Sequence, residues 1–90
     1  MSGGGGYTVR IKRSAEKEMN RLVAKTFERI TKVILNLESN PRPARSKKLR
    51  GMEDYRLRVG QHRILYSIDD RERTVEIIAV GHRRDVYRGI

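Results

Sequence analysis

The sequence contains no cysteine in its 90 residues and only two histidines. Neither a disulfide framework nor a thiolate metal site can therefore hold the fold, and the core must form from hydrophobic packing alone. No apolar stretch approaches the roughly 18 residues that a membrane span needs, and the N-terminus has no charged-then-apolar signal sequence. We expect a cytoplasmic protein that has no membrane segment, no metal and no cofactor.

Acidic residues are scarce as well, because 21 Lys and Arg stand against 11 Asp and Glu and give a net charge of +10. On a protein of 10.5 kDa this charge attracts polyanions, which makes nucleic acid the leading partner class. After Asn40 the basic residues are eleven arginines and only two lysines, Lys47 and Lys48. The planar fork of arginine suits phosphate and also stacks on bases. A charge that only keeps the protein in solution is the alternative.

The first half of the chain predicts one strand followed by two helices. Residues 1–6, MSGGGG, are interpreted as a flexible glycine-rich tail or an added linker, and residues 7–90 as a single domain. The stretch YTVRIK alternates apolar and polar residues, as a strand with one buried face does. Helical spacing then predicts a first helix, capped by Ser14 and ending near Ala24 or Lys25, and a second, capped by Thr26 and ending before Pro41.

The second half predicts three strands, at residues 55–59, 62–69 and 74–80, separated by Gly60-Gln61 and by the polar stretch DRER. The order β-α-α-β-β-β indicates an α+β fold. An N-terminal strand and a helical hairpin are followed by a three-stranded antiparallel meander, and both helices pack on one face of the sheet.

The first two of these strands form a hairpin that crowds arginines onto one face. Counting outward from a two-residue turn pairs Arg58 with Arg63, and Arg56 lies two residues away on the same side. Like charges directly opposite each other weaken a sheet. The pattern therefore indicates that an anionic ligand lies across these arginines.

The C-terminal segment HRRDVY adds groups that suit RNA chemistry. Arg83 and Arg84 can neutralise phosphate, Tyr87 can stack on a base, and His82 can exchange a proton near neutral pH. Metal-free RNA cleavage needs a deprotonated 2′-hydroxyl, stabilisation of the phosphorane charge and protonation of the 5′-oxygen. If this segment and the stretch KKLRG meet the hairpin arginines, together they supply such groups.

Two blocks, KLRGMEDYRLRVGQHRILY at 48–66 and VGHRRDVYR at 80–88, resemble the RelE branch of the RelE/ParE toxin superfamily. The resemblance runs from Tyr7 to about Gly89 and includes the stretch NPRP after the second helix. It implies a ribosome-dependent endoribonuclease that enters the ribosomal A site and cuts the mRNA codon there, with the 2′-hydroxyl as nucleophile and without metal. It also implies a cognate antitoxin that wraps the toxin, which alone is expected to be a monomer.

Position by position, the resemblance assigns catalytic roles to five residues. Arg56 and Arg58 would handle the 2′-hydroxyl and the scissile phosphate, and Arg63 would brace that phosphate. Arg83 would stabilise the transition state or protonate the leaving group, and Tyr87 would stack on and orient the nucleotide.

Other basic residues in or directly beside the two blocks are expected to contact mRNA or ribosomal RNA: Lys47, Lys48, Arg50, Arg84 and Arg88. The general base is open, because arginines stand where this branch often has lysines, and a guanidinium with a pKa above about 12 is a poor base. His82 is the residue of the motif that titrates near neutrality and is our candidate general acid or base.

Two other functions remain open. The ParE side of the superfamily shares the fold and acts on DNA gyrase, and a plain RNA- or ribosome-binding module would need no cleavage chemistry. The arginines together with HRRDVY favour the ribonuclease.

Overall fold

A five-stranded sheet with two helices on one face forms the described part of the chain. The computed structural model describes residues 6–49, 51 and 53–82. The elements in chain order are β1 (Thr8–Ile11), α1 (Arg13–Met19), α2 (Ala24–Asn36), β2 (Lys47–Lys48), β3 (Asp54–Val59), β4 (His62–Asp69) and β5 (Thr74–His82). The predicted α+β order is confirmed, and the structure adds the short strand β2, which the sequence pattern did not indicate.

The sheet has the order β1-β5-β4-β3-β2. Strand β1 runs parallel to β5, and the other neighbours are antiparallel, as the predicted meander requires. The predicted hairpin register is confirmed: Val59 pairs with His62, and Arg58 pairs with Arg63. Gly60 supplies the positive φ of 61° that the first turn position needs.

The predicted helix starts at Ser14 and Thr26 were wrong. Both residues lie inside helices, because α1 begins at Arg13 and α2 begins at Ala24. The preceding N-cap residues, Lys12 and Val23, have extended backbone and make no side-chain cap hydrogen bond. The first helix also ends earlier than predicted, so that the following turn carries Leu22 against the core. Tertiary packing here outweighs the local preference for a hydroxyl cap.

The core lies between the helices and one face of the sheet. The apolar stripe of α2 contributes Ile30, Ile34 and Leu37, all at most 2% exposed. Facing them are strand residues that share one side by register, among them Leu57 of β3 and Val80 of β5. Each such buried side chain contributes about 1.5–3 kcal/mol. The opposite face of the sheet is thereby left uncovered by either helix.

The loop between α2 and β2 is fastened to the sheet by a buried tyrosine. The hydroxyl of Tyr66, a fully buried residue of β4, donates a 2.8 Å hydrogen bond to the carbonyl oxygen of Pro41. Burial raises the pKa of the Tyr66 hydroxyl, which keeps it a donor. The ring stacks on Tyr55, with centroids 5.8 Å apart. These contacts fix the loop that leads to Arg45 and Lys47.

A second, exposed connection joins the same loop to the turn between β4 and β5. The guanidinium of Arg42 donates to both carboxylate oxygens of Asp70, at 3.2 and 2.9 Å, and lies over the ring of Tyr55. Tyr7 donates its hydroxyl to the same carboxylate at 2.6 Å. The hydrogen bonds from Arg42 and then Tyr7 hold the pKa of Asp70 below its ordinary value.

We predict that Tyr66→Phe destabilises the fold by about 1–3 kcal/mol, because it leaves the buried Pro41 carbonyl without its donor. The melting temperature measured by thermal unfolding should fall by several degrees, and the midpoint of urea unfolding should fall as well. Tyr7→Phe is the matched control, because the Tyr7–Asp70 hydrogen bond is exposed and its loss should change the stability far less. Equal stabilities of the two variants would contradict the assigned role of Tyr66.

Candidate functional site

A groove whose described lining residues are all basic runs along the face of the sheet opposite the helices. Its volume is about 370 Å³, and its lining residues, which define the cationic groove, are Arg45, Lys47, Arg56, Arg58 and Arg63. Three hairpin arginines and a predicted RNA-contact lysine thus come together as the sequence predicted. Arg45 of the preceding loop was not singled out, because it lies in an irregular segment where no periodicity assigns a face.

The sheet register explains why these side chains gather. Lys47 of β2 is paired with Arg56 of β3, and Arg58 of β3 is paired with Arg63 of β4. Paired residues point to the same face of a sheet, and residues two apart along a strand do so as well. Since the intervening Leu57 is 4% exposed and packs in the core, the basic side chains of all three strands point away from the helices.

The electrostatics of the cationic groove favour an anion. Among the residues that the structure describes, none that lines this groove is acidic. The Arg58 Nε donates a 3.2 Å hydrogen bond to the carbonyl oxygen of Gly60, which holds this side chain beside the hairpin turn. A directly opposed arginine pair costs sheet stability unless an anion offsets the repulsion. Several fixed cations within one groove are suited to a sugar-phosphate link and to the additional negative charge of a phosphorane.

Lys48 lies away from this groove. It pairs with Tyr55, whose ring packs against the core, and its ammonium lies 3.3 Å from the carboxylate of Glu53. Strand alternation therefore directs the two neighbouring lysines, Lys47 and Lys48, to opposite faces of the sheet.

His82 also takes a position apart from the arginines. It pairs with His62, which pairs with the buried Val59 on the helix face, and the two imidazole rings are 6.0 Å apart in an edge-to-face arrangement. Burial, and then the charge of His82, lowers the pKa of His62 below its ordinary value. The residue that faces Arg63 across the strand pair is Gly81.

Five further predicted site residues lie outside the described residues: Arg50, Arg83, Arg84, Tyr87 and Arg88. Their roles stay predictions. Within residues 6–49, 51 and 53–82 there is no group of three potential metal ligands. In the same part of the chain, no helix is both long enough and apolar enough to cross a bilayer.

Comparison with known proteins gives concordant matches over nearly the whole chain. Residues 9–87 match the family described as the ParE toxin of type II toxin-antitoxin systems, parDE. Toxin RelG of Mycobacterium tuberculosis is 33% identical over 87 residues, which covers 91% of this chain and 97% of that protein.

Solved structures of toxin-antitoxin complexes show the same fold. The RelBE2 complex of Mycobacterium tuberculosis has a matching chain with a TM-score of 0.78 and 31% identity, covering 87% of this chain and 99% of that one. In the RelE-RelB complex of Pyrococcus horikoshii the TM-score is 0.80 at 26% identity, with coverage of 89% and 98%. The isolated RelE toxin of E. coli matches with a TM-score of 0.75 and 28% identity, covering 92% of this chain and 93% of that one.

We predict that His62 makes the fold less stable as the pH falls below 6.5, its ordinary pKa. The unfolded chain takes up a proton at that pH, whereas folded His62 takes it up only at a lower pH. Its contribution is therefore present above pH 6.5 and is lost as the pH falls through the folded pKa. Urea midpoints at about pH 7.5 and about pH 5 should differ more for the wild type than for His62→Gln. Identical pH dependence in both proteins would contradict this assignment.

Proposed function

This chain belongs to the RelE/ParE superfamily of toxins of type II toxin-antitoxin systems, and we propose that it is a ribosome-dependent endoribonuclease. It would enter the ribosomal A site and cut the mRNA codon there. The observation that supports this most directly is the cationic groove, in which three strands and a loop direct five basic side chains at one place. A phosphorane gains most from charges that are fixed before reaction, and strand pairing fixes Arg58 opposite Arg63.

The proposed reaction is an attack of the 2′-hydroxyl on its own phosphate. The 2′-oxygen forms a bond to phosphorus while the bond to the 5′-oxygen breaks, and the departing 5′-oxygen takes up a proton. The products carry a 2′,3′-cyclic phosphate and a 5′-hydroxyl. Arg56 and Arg58 would hold the 2′-hydroxyl and the scissile phosphate, and Arg63 would brace that phosphate. The roles proposed for Arg83 and Tyr87 are transition-state stabilisation or leaving-group protonation, and nucleotide stacking.

For the proton acceptor we propose Lys47 in preference to His82. Lys47 lies in the cationic groove opposite Arg56, whereas His82 pairs with His62 on the helix face. An amine is a chemically possible proton acceptor, whereas a guanidinium is a poor base. A lysine therefore remains in the site even though β3 carries arginines, but it comes from the neighbouring strand β2.

The partners follow from the same proposal. The solved complexes pair RelE toxins with RelB antitoxins, and we propose that a cognate antitoxin likewise covers this chain and blocks the groove. The free toxin would act in the cytoplasm as a monomer and contact mRNA and ribosomal RNA.

A gyrase inhibitor is the second candidate, because the matching family is described as ParE. We favour RNA cleavage because Arg56, Arg58 and Arg63 lie together on the face of the sheet opposite the helices. A translation extract separates the two candidates, since gyrase inhibition would give a supercoiling defect and no codon-position cuts.

In a translation extract programmed with a defined mRNA, we predict ribosome-dependent cuts at codon positions that leave a 2′,3′-cyclic phosphate. Arg58→Ala should lower the cleavage rate about 100-fold, the size expected for removing one preorganised charge. Arg83→Ala and Tyr87→Ala should abolish cleavage. Lys17→Ala is the matched control and should cut normally, because it removes a positive charge from α1, on the helix side of the sheet. Wild-type protein that arrests translation without cutting would refute the proposal.

Lys47→Arg tests the proton acceptor separately from the charge. The substitution keeps the positive charge, but a guanidinium with a pKa above about 12 cannot serve as a base. We predict a loss of about 100-fold in single-turnover cleavage. A Lys47→Arg variant that cuts at the wild-type rate would exclude Lys47 as the base. His82→Gln should cut at the wild-type rate, because His82 lies opposite His62 on the helix face.

A further inference from the structure

A second groove lies between α2 and the edge of β3. Its volume is about 380 Å³, and we call it the apolar groove because aliphatic side chains form its floor: Val33, Leu37, Leu57 and Val59. The amide side chains of Asn36 and Asn40 also line it. Asn40 uses its Oδ1 to accept a hydrogen bond from the Arg42 backbone, which leaves its NH₂ group available.

The groove is open because strand β2 is short. Its register with β3 ends at the pair Lys47–Arg56, so no residue of β2 faces Arg58. The two-residue turn makes Val59 and His62 a hydrogen-bonded pair, and ladder bonding alternates along the strand. The backbone N–H and C=O of Arg58 therefore point outward, toward this groove. The groove therefore offers one hydrogen-bond donor and one acceptor of the Arg58 backbone beside its aliphatic side chains.

Arginines form the rim of the apolar groove. Arg29, Arg45 and Arg58 line it, and none of them takes part in either ion pair found in the described part of the chain. The guanidinium of Arg29 reaches from α2 to the hairpin turn, where its Nη1 lies 3.5 Å from the place that a Cβ on Gly60 would occupy. Within residues 6–49, 51 and 53–82, no acidic residue lines the groove.

The two grooves share a wall. Arg45 and Arg58 line both the apolar groove and the cationic groove. An RNA strand whose phosphate contacts these two arginines in the cationic groove would place a neighbouring base beside the apolar groove. Single-stranded RNA is recognised through such splayed bases, which stack on side chains or guanidinium planes and offer their edges to hydrogen-bonding groups.

We infer that the apolar groove is a subsite for one unstacked nucleobase of the RNA, adjacent to the nucleotide that is cut. The inference rests on the proposed function. Val33 and Leu57 contact the face of the base, the guanidinium of Arg29 or Arg45 covers it, and the Asn36 and Asn40 amides with the Arg58 backbone bind its edge. The subsite would give the enzyme a sequence preference beside the cleavage point.

The groove fits a base better than a peptide. Beyond its pairing with β2, the edge of β3 offers outward-pointing backbone groups at one residue, Arg58. This length of edge is too short for a partner strand to add to the sheet. The side-chain amides of Asn36 and Asn40 could form hydrogen bonds with the edge of a base but not with an aliphatic side chain of a peptide. Continuity with the cationic groove through Arg45 and Arg58 ties the occupant to the phosphate that lies there.

The test uses an mRNA library that is randomised over the A-site codon and its flanking positions. The library is translated in an extract that contains the toxin, and the ends of the cut mRNAs are then sequenced. Ala44→Phe fills the apolar groove from its loop, and Asn36→Ala removes an amide from an exposed helix position. Ala24→Phe makes the same change at the far end of α2 and is the control. We expect wild type and Ala24→Phe to show a base preference at one position beside the cut.

For Ala44→Phe we expect that preference to disappear and cleavage to fall about tenfold, the size of one lost base-stacking contact. Asn36→Ala should weaken the preference at the same position. If both variants keep the wild-type preference at every position, the inference is overturned. If Ala44→Phe melts below the assay temperature, Asn36→Ala decides alone.

Two further outcomes separate the failures. Wild-type protein that cuts no mRNA overturns the proposed function, and the subsite with it. Wild-type cleavage with an unchanged pattern in both variants, but weaker binding of Ala44→Phe to its cognate antitoxin, would overturn only the subsite and assign the groove to a protein segment.

Discussion

The period-two alternation of the β3–β4 hairpin is the constraint on which the site depends. Leu57 and Val59 are 4% and 6% exposed against the helices, so Arg56 and Arg58 have to lie on the other face. A slip of one residue in register would move the arginines into the core and the aliphatic side chains into solvent. The burial of a few apolar side chains therefore holds mutually repelling guanidinium groups together.

The separation of the apolar and basic side chains onto opposite faces of the sheet explains how the fold tolerates two directly opposed arginines. The repulsion between Arg58 and Arg63 opposes the hairpin, while core packing and the positive-φ turn at Gly60 support it. The loop before β2 is held independently, by the buried hydrogen bond from Tyr66 and by the exposed Arg42–Asp70 ion pair. Stability therefore comes from the helix face of the sheet and from these two loop contacts, and the arginine face is available for chemistry.

The sequence predicted the features that local patterns determine. Alternation, turn chemistry and apolar spacing were enough to predict the hairpin pairing, the meander and the convergence of Arg56, Arg58 and Arg63. Helix starts were wrong at Ser14 and Thr26, because the N-cap residues are Lys12 and Val23, which make no side-chain cap hydrogen bond and so carry no capping signal in the sequence. Strand β2 could not be predicted, since two lysines carry no periodic signal and their pairing depends on the anchored loop.

His82 shows why a face could not be read from the sequence alone. In β5, Val75 and Ile77 face the core, and continued alternation would place His82 on the arginine face. The register instead contains a bulge opposite Leu65 and Tyr66, so that Val80 is buried and His82 falls in line with His62. The run of apolar residues on both faces of β5 conceals that bulge, because every residue there tolerates either side.

The bulge also shapes the chemistry that remains in the cationic groove. With His82 on the helix face and arginines on β3, the protonable groups described in the groove are guanidinium groups and the amine of Lys47. Guanidinium groups can stabilise a phosphorane but cannot take the proton from the attacking 2′-hydroxyl. If the reaction is RNA cleavage, charge stabilisation and proton removal therefore fall to different residues. The proton acceptor then depends on the two-residue strand β2, and so on the loop that Tyr66 holds in place.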